Sequence, residues 1–189
     1  MAGYRINSYA LLEGPNVEWK LLPETWTQPI IEPRSVILHS QAGPRRTFWG
    51  DLWNYMNRAD INGEAHLLVN LDGSIIQLMP FNRRADCNYK ANQFAISFET
   101  QDDGAATLAT TPWSLLQFDA ITNAVAAIGH KYGIPYQSPA TWDDAGVGYH
   151  SQFKEWSSYT GKTCPGAARI YQMDAVRSVA AGICACEPT

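Results

Sequence analysis

Charge is scarce in this sequence. Only 17% of its 189 residues are Asp, Glu, Lys or Arg, and 14 basic against 18 acidic side chains leave a formal charge of −4. Without a basic excess there is no electrostatic footprint for nucleic acid, so no nucleic-acid partner is expected. Long apolar runs are also missing. Stretches such as SVIL and AHLLV fall far short of the roughly 20 residues of a membrane-spanning helix, so no membrane insertion is expected. The opening stretch, MAGYRINSYALLEGPNVEWK, has no basic segment leading into a continuous apolar one, so no secretory signal is expected. Cysteine is sparse: Cys87, Cys164, Cys184 and Cys186 are too few and too uneven for a disulfide scaffold. Cys184 and Cys186 are spaced too closely for a CxxC pair and read as structural or incidental. Internal repeats, low-complexity tracts and an HExxH zinc motif are all absent. What remains is 46% hydrophobic and 12% aromatic, ample material for one core in one domain.

The pattern of that material predicts a mixed α/β domain, a central β-sheet flanked by helices. Residues 1–32, punctuated by Pro15, Pro23 and Pro29, read as an irregular segment wrapping the domain, with the domain itself spanning 33–189. SVILH (35–39) reads as a buried strand, and FWGDLWNYMNR as a helix with Phe48, Leu52, Tyr55 and Met56 on its apolar face. AHLLVN, the Asp72-Gly73 turn and SIIQLMP form a hairpin. FAISFET alternates Phe94, Ile96 and Phe98 against Ala95, Ser97 and Glu99, which sets Glu99 opposite the large apolar side chains. A long helix is expected from an N-cap at Thr111 with Pro112 at its first position, stopping at Gly133. GVGYH is a further short strand. A last helix begins near Pro165 and carries Ile170, Met173, Val176, Val179 and Ile183.

Four histidines bear on chemistry. His130, beside Lys131 and Gly133, reads as a structural partner of its helix C-terminus. His39 and His150 each end a short strand and run straight into a polar loop, a placement that lets two imidazoles converge. Taken singly, each reads as structural. Cys164 shifts that balance. It follows Lys162 and precedes Pro165-Gly166 at the start of the last helix, where cation and helix N-terminus both favour thiolate. Two imidazoles and one thiolate make a three-ligand zinc site with a fourth position open for water. Spacing alone does not single out this set, because its members lie in distant segments.

Taken together, these segments resemble the zinc amidases that include peptidoglycan recognition proteins, lysozyme-type phage amidases and cytoplasmic anhydro-muropeptide amidases. The resemblance covers about residues 33–175. SVILHSQAG is similar to that family's first strand, ending in a zinc histidine. AHLLVNLDGSIIQLMP is similar to its hairpin, of the type AHFLIDRDGTIYQLVP, and NQFAISFET to its NDFSIGIEL strand. TPWSLLQFDAITNAVAAIGHKYGIP resembles the helix after its TPAQ start. GYHSQF with GKTCPG resembles its GHSDI and KACPG segments. The wording of YKANQFAISFET and GKTCPG is most like amidase domains of endolysins from phages of mycobacteria and related actinobacteria.

The resemblance implies a peptidoglycan amidase fold and hydrolysis of the amide between N-acetylmuramic acid and L-alanine. It implies zinc on His39, His150 and Cys164, Glu99 as proton acceptor and donor, and Lys162 as the charge facing the oxyanion. It implies peptidoglycan as partner, a monomer, and residence in the host cytoplasm until release to the cell wall. Two departures stand out. Ala65 replaces the tyrosine that precedes the hairpin histidine in two branches of the family. RRADCNYKAN replaces an AWHAG segment, so that Cys87 or Asn88 faces the groove. His66 is expected either at the substrate cleft or as a packed hairpin histidine. Two other functions remain open: a non-catalytic peptidoglycan-binding module, against which Cys164 argues, and a cytoplasmic recycling amidase of soluble anhydro-muropeptides.

Overall fold

A computed structural model describes residues 3–41, 48–58, 63–102, 111–158, 160–161 and 163–185. Its centre is a six-stranded sheet of β3 (Val17–Trp19), β4 (Ser35–Ser40), β5 (Leu67–Val69), β6 (Ile75–Gln77), β7 (Ala95–Thr100) and β8 (Gly146–Tyr149). The spatial order is β3-β6-β5-β7-β4-β8, and every neighbouring pair is parallel except the β5–β6 hairpin. A separate two-stranded ribbon joins β1 (Arg5–Ile6) to β2 (Leu12–Glu13). Helices α1 (Phe48–Met56), α2 (Leu115–Tyr132) and α3 (Ala167–Ala185) complete the fold. This is the mixed sheet flanked by helices that the sequence pattern predicts.

Central parallel strands are covered on both faces and read as continuous apolar runs. β4 follows that rule: all six of its residues are buried. Because side chains alternate, Val36 and Leu38 of β4, Ile96 and Phe98 of β7 and Val147 of β8 meet one core. Ile121, Val125 and Ile128 of α2 and Met173 and Val176 of α3 close it. Each such side chain, fully buried, is worth about 1.5–3 kcal/mol, and this set fixes the strand register. The opposite face is covered in two patches. Ile37 and Ala95 pack under Trp156, Ala91 and Phe94. Leu68 and Ile76 pack with Met56 of α1, Ala65, Leu22 and Leu78. Between these patches lie the polar members of the same face.

Several sequence expectations are corrected. The N-terminal segment is not irregular throughout: Val17–Trp19 adds an edge strand to the main sheet, parallel to β6 and in register with Ile75–Gln77. The cap of α2 is Ser114 rather than Thr111. Its side chain accepts from Gln117 N–H at 3.1 Å, and Gln117 reaches back to Ser114 N–H, closing a capping box that Thr111 has no glutamine to close. The C-terminal stop at Gly133 holds, in the left-handed conformation that glycine adopts without steric penalty. On α1, Trp53 packs with the core where Tyr55 was expected, and Tyr55 is exposed. Val179 of α3 is likewise exposed, and the inward position beside it is taken by Ala180.

Candidate active site at the carboxyl ends of β4, β7 and β8

Strand alternation assembles the site. Ser35, Ile37 and His39 share one face of β4, and the parallel register sets His39 opposite Glu99 of β7. β8 runs parallel to β4 with Leu38 opposite Tyr149, so His150, the next residue, leaves the strand on the His39 side. Gly148 precedes it on that face. A Cβ there would come within 2.7 Å of both the Trp156 ring and Gln152 Oε1, so only glycine lets Trp156 close over β8. The backbone of Ser151 then donates to Cys164 O at 3.0 Å, tying the His150 loop to the Cys164 loop.

The result is a convergence of three donors. One ligand atom each from His39, His150 and Cys164 lies within 4.8 Å of the others, and all three residues are buried. The two imidazole centroids are 4.1 Å apart. Ser40 N–H donates to Cys164 Sγ at 3.1 Å. His39 Nε2–H donates to Asn88 Oδ1 at 2.7 Å, which leaves Nδ1 as the nitrogen carrying the lone pair. Glu99 Oε1 stands 3.7 Å from that Nδ1. Two buried imidazoles and a thiol suit a borderline-soft cation such as zinc better than a hard oxygen-seeking one. Beside Glu99 a small recess of about 10 Å³, room for about one water, is lined by Gln41, Leu52, Asn70 and Gln101.

Other expected site residues fall elsewhere. Lys162 lies outside the described residues, as does Cys186. His66 is fully buried, donates from Nε2 to Arg83 O at 2.8 Å, and accepts at Nδ1 from Ser97 N–H at 3.1 Å. Burial holds its pKa down at about 4, so it is neutral. With both nitrogens used inside the protein, it sits as the packed hairpin histidine. Asn88 is also fully buried, against His39, and does not face the groove. Ala65, which replaces a tyrosine, is fully buried in the cluster of Leu22, Met56 and Leu78.

Of two further groups, Cys87 is one that the sequence reading set at the groove, and Glu64 escaped that reading. Cys87 Sγ lies 3.9 Å from His39 Nε2, and burial, with the Glu99 carboxylate adding to it, pushes its thiol pKa well up. Glu64 is buried with Oε2 lacking a hydrogen-bond partner, and burial raises its pKa to about 7. No pattern in the sequence marks Glu64.

The family model for N-acetylmuramoyl-L-alanine amidase (amidase type 2) matches residues 28–167, and the chain belongs to this family. It is a peptidoglycan amidase. Among solved structures it is similar to the N-acetylmuramoyl-L-alanine amidase LysC from Clostridium intestinale, at 15% identity and a TM-score of 0.61, covering 90% of this chain and 98% of that one. The hydrolase AmiA of Staphylococcus aureus matches at 19% identity and a TM-score of 0.62, with 89% and 84% covered. A mutant endolysin from Bacillus subtilis matches at 22% identity and a TM-score of 0.56, with 89% and 98% covered. At such identities these likenesses establish the fold. A search of curated protein sequences returns no match.

Proposed function

We propose that this amidase is zinc-dependent, cleaves the bond between N-acetylmuramic acid and L-alanine, and serves as the catalytic domain of a phage endolysin. The observation that carries this reading is the convergence of His39, His150 and Cys164 within 4.8 Å, with Glu99 3.7 Å from His39. Those three side chains would hold the ion. A zinc ion there supplies electrophilic pull on the scissile carbonyl and lowers the pKa of water towards about 7. Glu99 takes the proton of the attacking water and returns it to the nitrogen of the departing L-alanine amine, so the carboxylate is regenerated. Lys162 supplies the positive charge that faces the tetrahedral oxyanion. Asn88 fixes the tautomer of His39 and keeps its Nδ1 lone pair directed inward. Among the described residues no helix is long and apolar enough to cross a membrane; in this reading the enzyme is a monomer released to the wall from the host cytoplasm.

Metal analysis of the purified protein, followed by mass spectrometry of digested peptidoglycan, tests the reading. One zinc per chain and new L-alanine amino termini are expected. Full activity in metal-free protein, or new reducing sugar ends instead, would overturn it. Glu99→Gln should reduce turnover by about 10²–10⁴ with zinc still bound, and Lys162→Met by about 10²–10³ with the acidic limb of the pH profile retained. Near-wild-type turnover in Glu99→Gln at neutral pH would return Glu99 to a merely structural role.

A further inference from the structure

Behind the three donors lies a buried ion pair. Arg169, in the first turn of α3, is fully buried and paired with Asp102, itself 4% exposed. Desolvating two such charges costs several kcal/mol per ion, and a well-packed apolar pair of similar volume often does as well for stability. What an apolar pair cannot do is direct hydrogen bonds, and here those bonds lead to the donor-bearing segments.

Two routes leave the pair. Along the first, Asp102 Oδ2 accepts from Ser40 Oγ–H at 2.5 Å, and the backbone N–H of the same serine donates to Cys164 Sγ at 3.1 Å. Along the second, Arg169 Nη1 donates to Thr100 Oγ1 at 3.1 Å, and Thr100 Oγ1–H donates to the carbonyl of His39 at 2.6 Å. Trp113 Nε1 donates to the same Thr100 oxygen at 2.9 Å. The remaining guanidinium contacts, to Thr111 O at 3.2 Å and Gln101 O at 3.3 Å, clamp the chain on either side of residues 103–110. Arg169 also stands five positions after Cys164, on the helix that the Cys164 loop enters.

We infer that Asp102 and Arg169 are positioning residues for the metal centre, holding the Cys164 sulfur through Ser40 and the His39 backbone through Thr100. The inference rests on the reading of His39, His150 and Cys164 as the ligand set. Side chains that orient metal ligands from behind change metal affinity about 10–100-fold when removed.

The test uses the full chain, zinc affinity by chelator competition, and the thiolate-to-metal absorption of the cobalt-substituted protein. Ser40→Ala and Asp102→Asn should bind zinc about tenfold or more weakly than wild type and shift the cobalt band. Arg5→Met, which breaks the exposed Arg5–Glu13 pair, should change neither. Ser40→Ala leaves the buried ion pair intact, so it decides the matter even if Asp102→Asn fails to fold. Zinc affinity within twofold of wild type in Ser40→Ala, with an unshifted cobalt band, overturns the inference while leaving the ligand set standing. A wild-type protein that binds no zinc overturns the ligand set and this inference with it.

Discussion

His39 and His66 lie on the same face of one sheet, with β7 between their strands, and both are buried. Their environments are opposite. Both nitrogens of His66 are consumed, one by the Arg83 carbonyl and one by Ser97 of the adjacent strand. His39 spends one nitrogen on Asn88 and turns the other towards a second imidazole, a thiol and a carboxylate. Burial alone therefore does not distinguish a ligand from a strut. What the second nitrogen meets does.

The largest effects should come from exchanging the two. His39→Ala should lose stoichiometric zinc and reduce activity by more than about 10³. His66→Ala should keep its zinc and lose about 2–4 kcal/mol of folding stability, from the vacated space and the stranded Ser97 N–H and Arg83 carbonyl. Chelator competition and denaturant melts on both variants check this. Loss of zinc in His66→Ala at intact fold would break the distinction.

A pH titration sharpens it further. An unfolded chain protonates His66 near its ordinary 6.5, whereas the folded protein refuses that proton until about 4. The unfolded state binds more protons across that window, so stability should fall as pH drops from about 6.5 to about 4, by up to about 3 kcal/mol. His66→Gln should flatten that part of the stability profile. An undiminished acid loss in the variant would assign it to another group.

The smallest effect should come from Glu64, two residues before His66 and opposite to it in satisfaction. Burial, with the carboxylates of Asp86 and Glu24 adding to it, holds its proton on up to about pH 7. A raised carboxyl pKa contributes stability below about 4.5 that is lost as pH rises through 7. Glu64→Gln should therefore gain on the order of 1–2 kcal/mol at pH 8 and nothing at pH 4. Thermal melts at both values decide it, and a gain at pH 4 as large as at pH 8 would show that packing rather than ionisation is responsible.

Legibility differed by the range of the interaction. β4, the Asp72-Gly73 hairpin, β7, the Gly133 stop and α3 were readable because alternation, turn chemistry and helix caps act within a few residues. Thr111 and Ser114 both carry hydroxyls before an apolar run, and only Gln117 at the right offset told them apart. β3 was not readable, since three residues next to prolines become a strand only when β6 offers its edge. Asn88 reads locally as a groove residue because nothing nearby in the chain shows that its oxygen accepts from His39, far away in sequence.

The sequence by itself determined the elements, the face of each strand and the residue types able to hold a soft cation, because these depend on periodicity and side-chain chemistry. It also carried the family resemblance, through the order of its segments. Only the tertiary structure decided which side chains meet. Parallel register puts His39 beside Glu99, a Gly148 that admits Trp156 precedes His150 on the same side, and the buried Arg169–Asp102 pair comes to lie behind Cys164. These contacts join residues far apart in the chain, and their energies depend on burial and on hydrogen-bond geometry. Neither quantity exists until the sheet has closed.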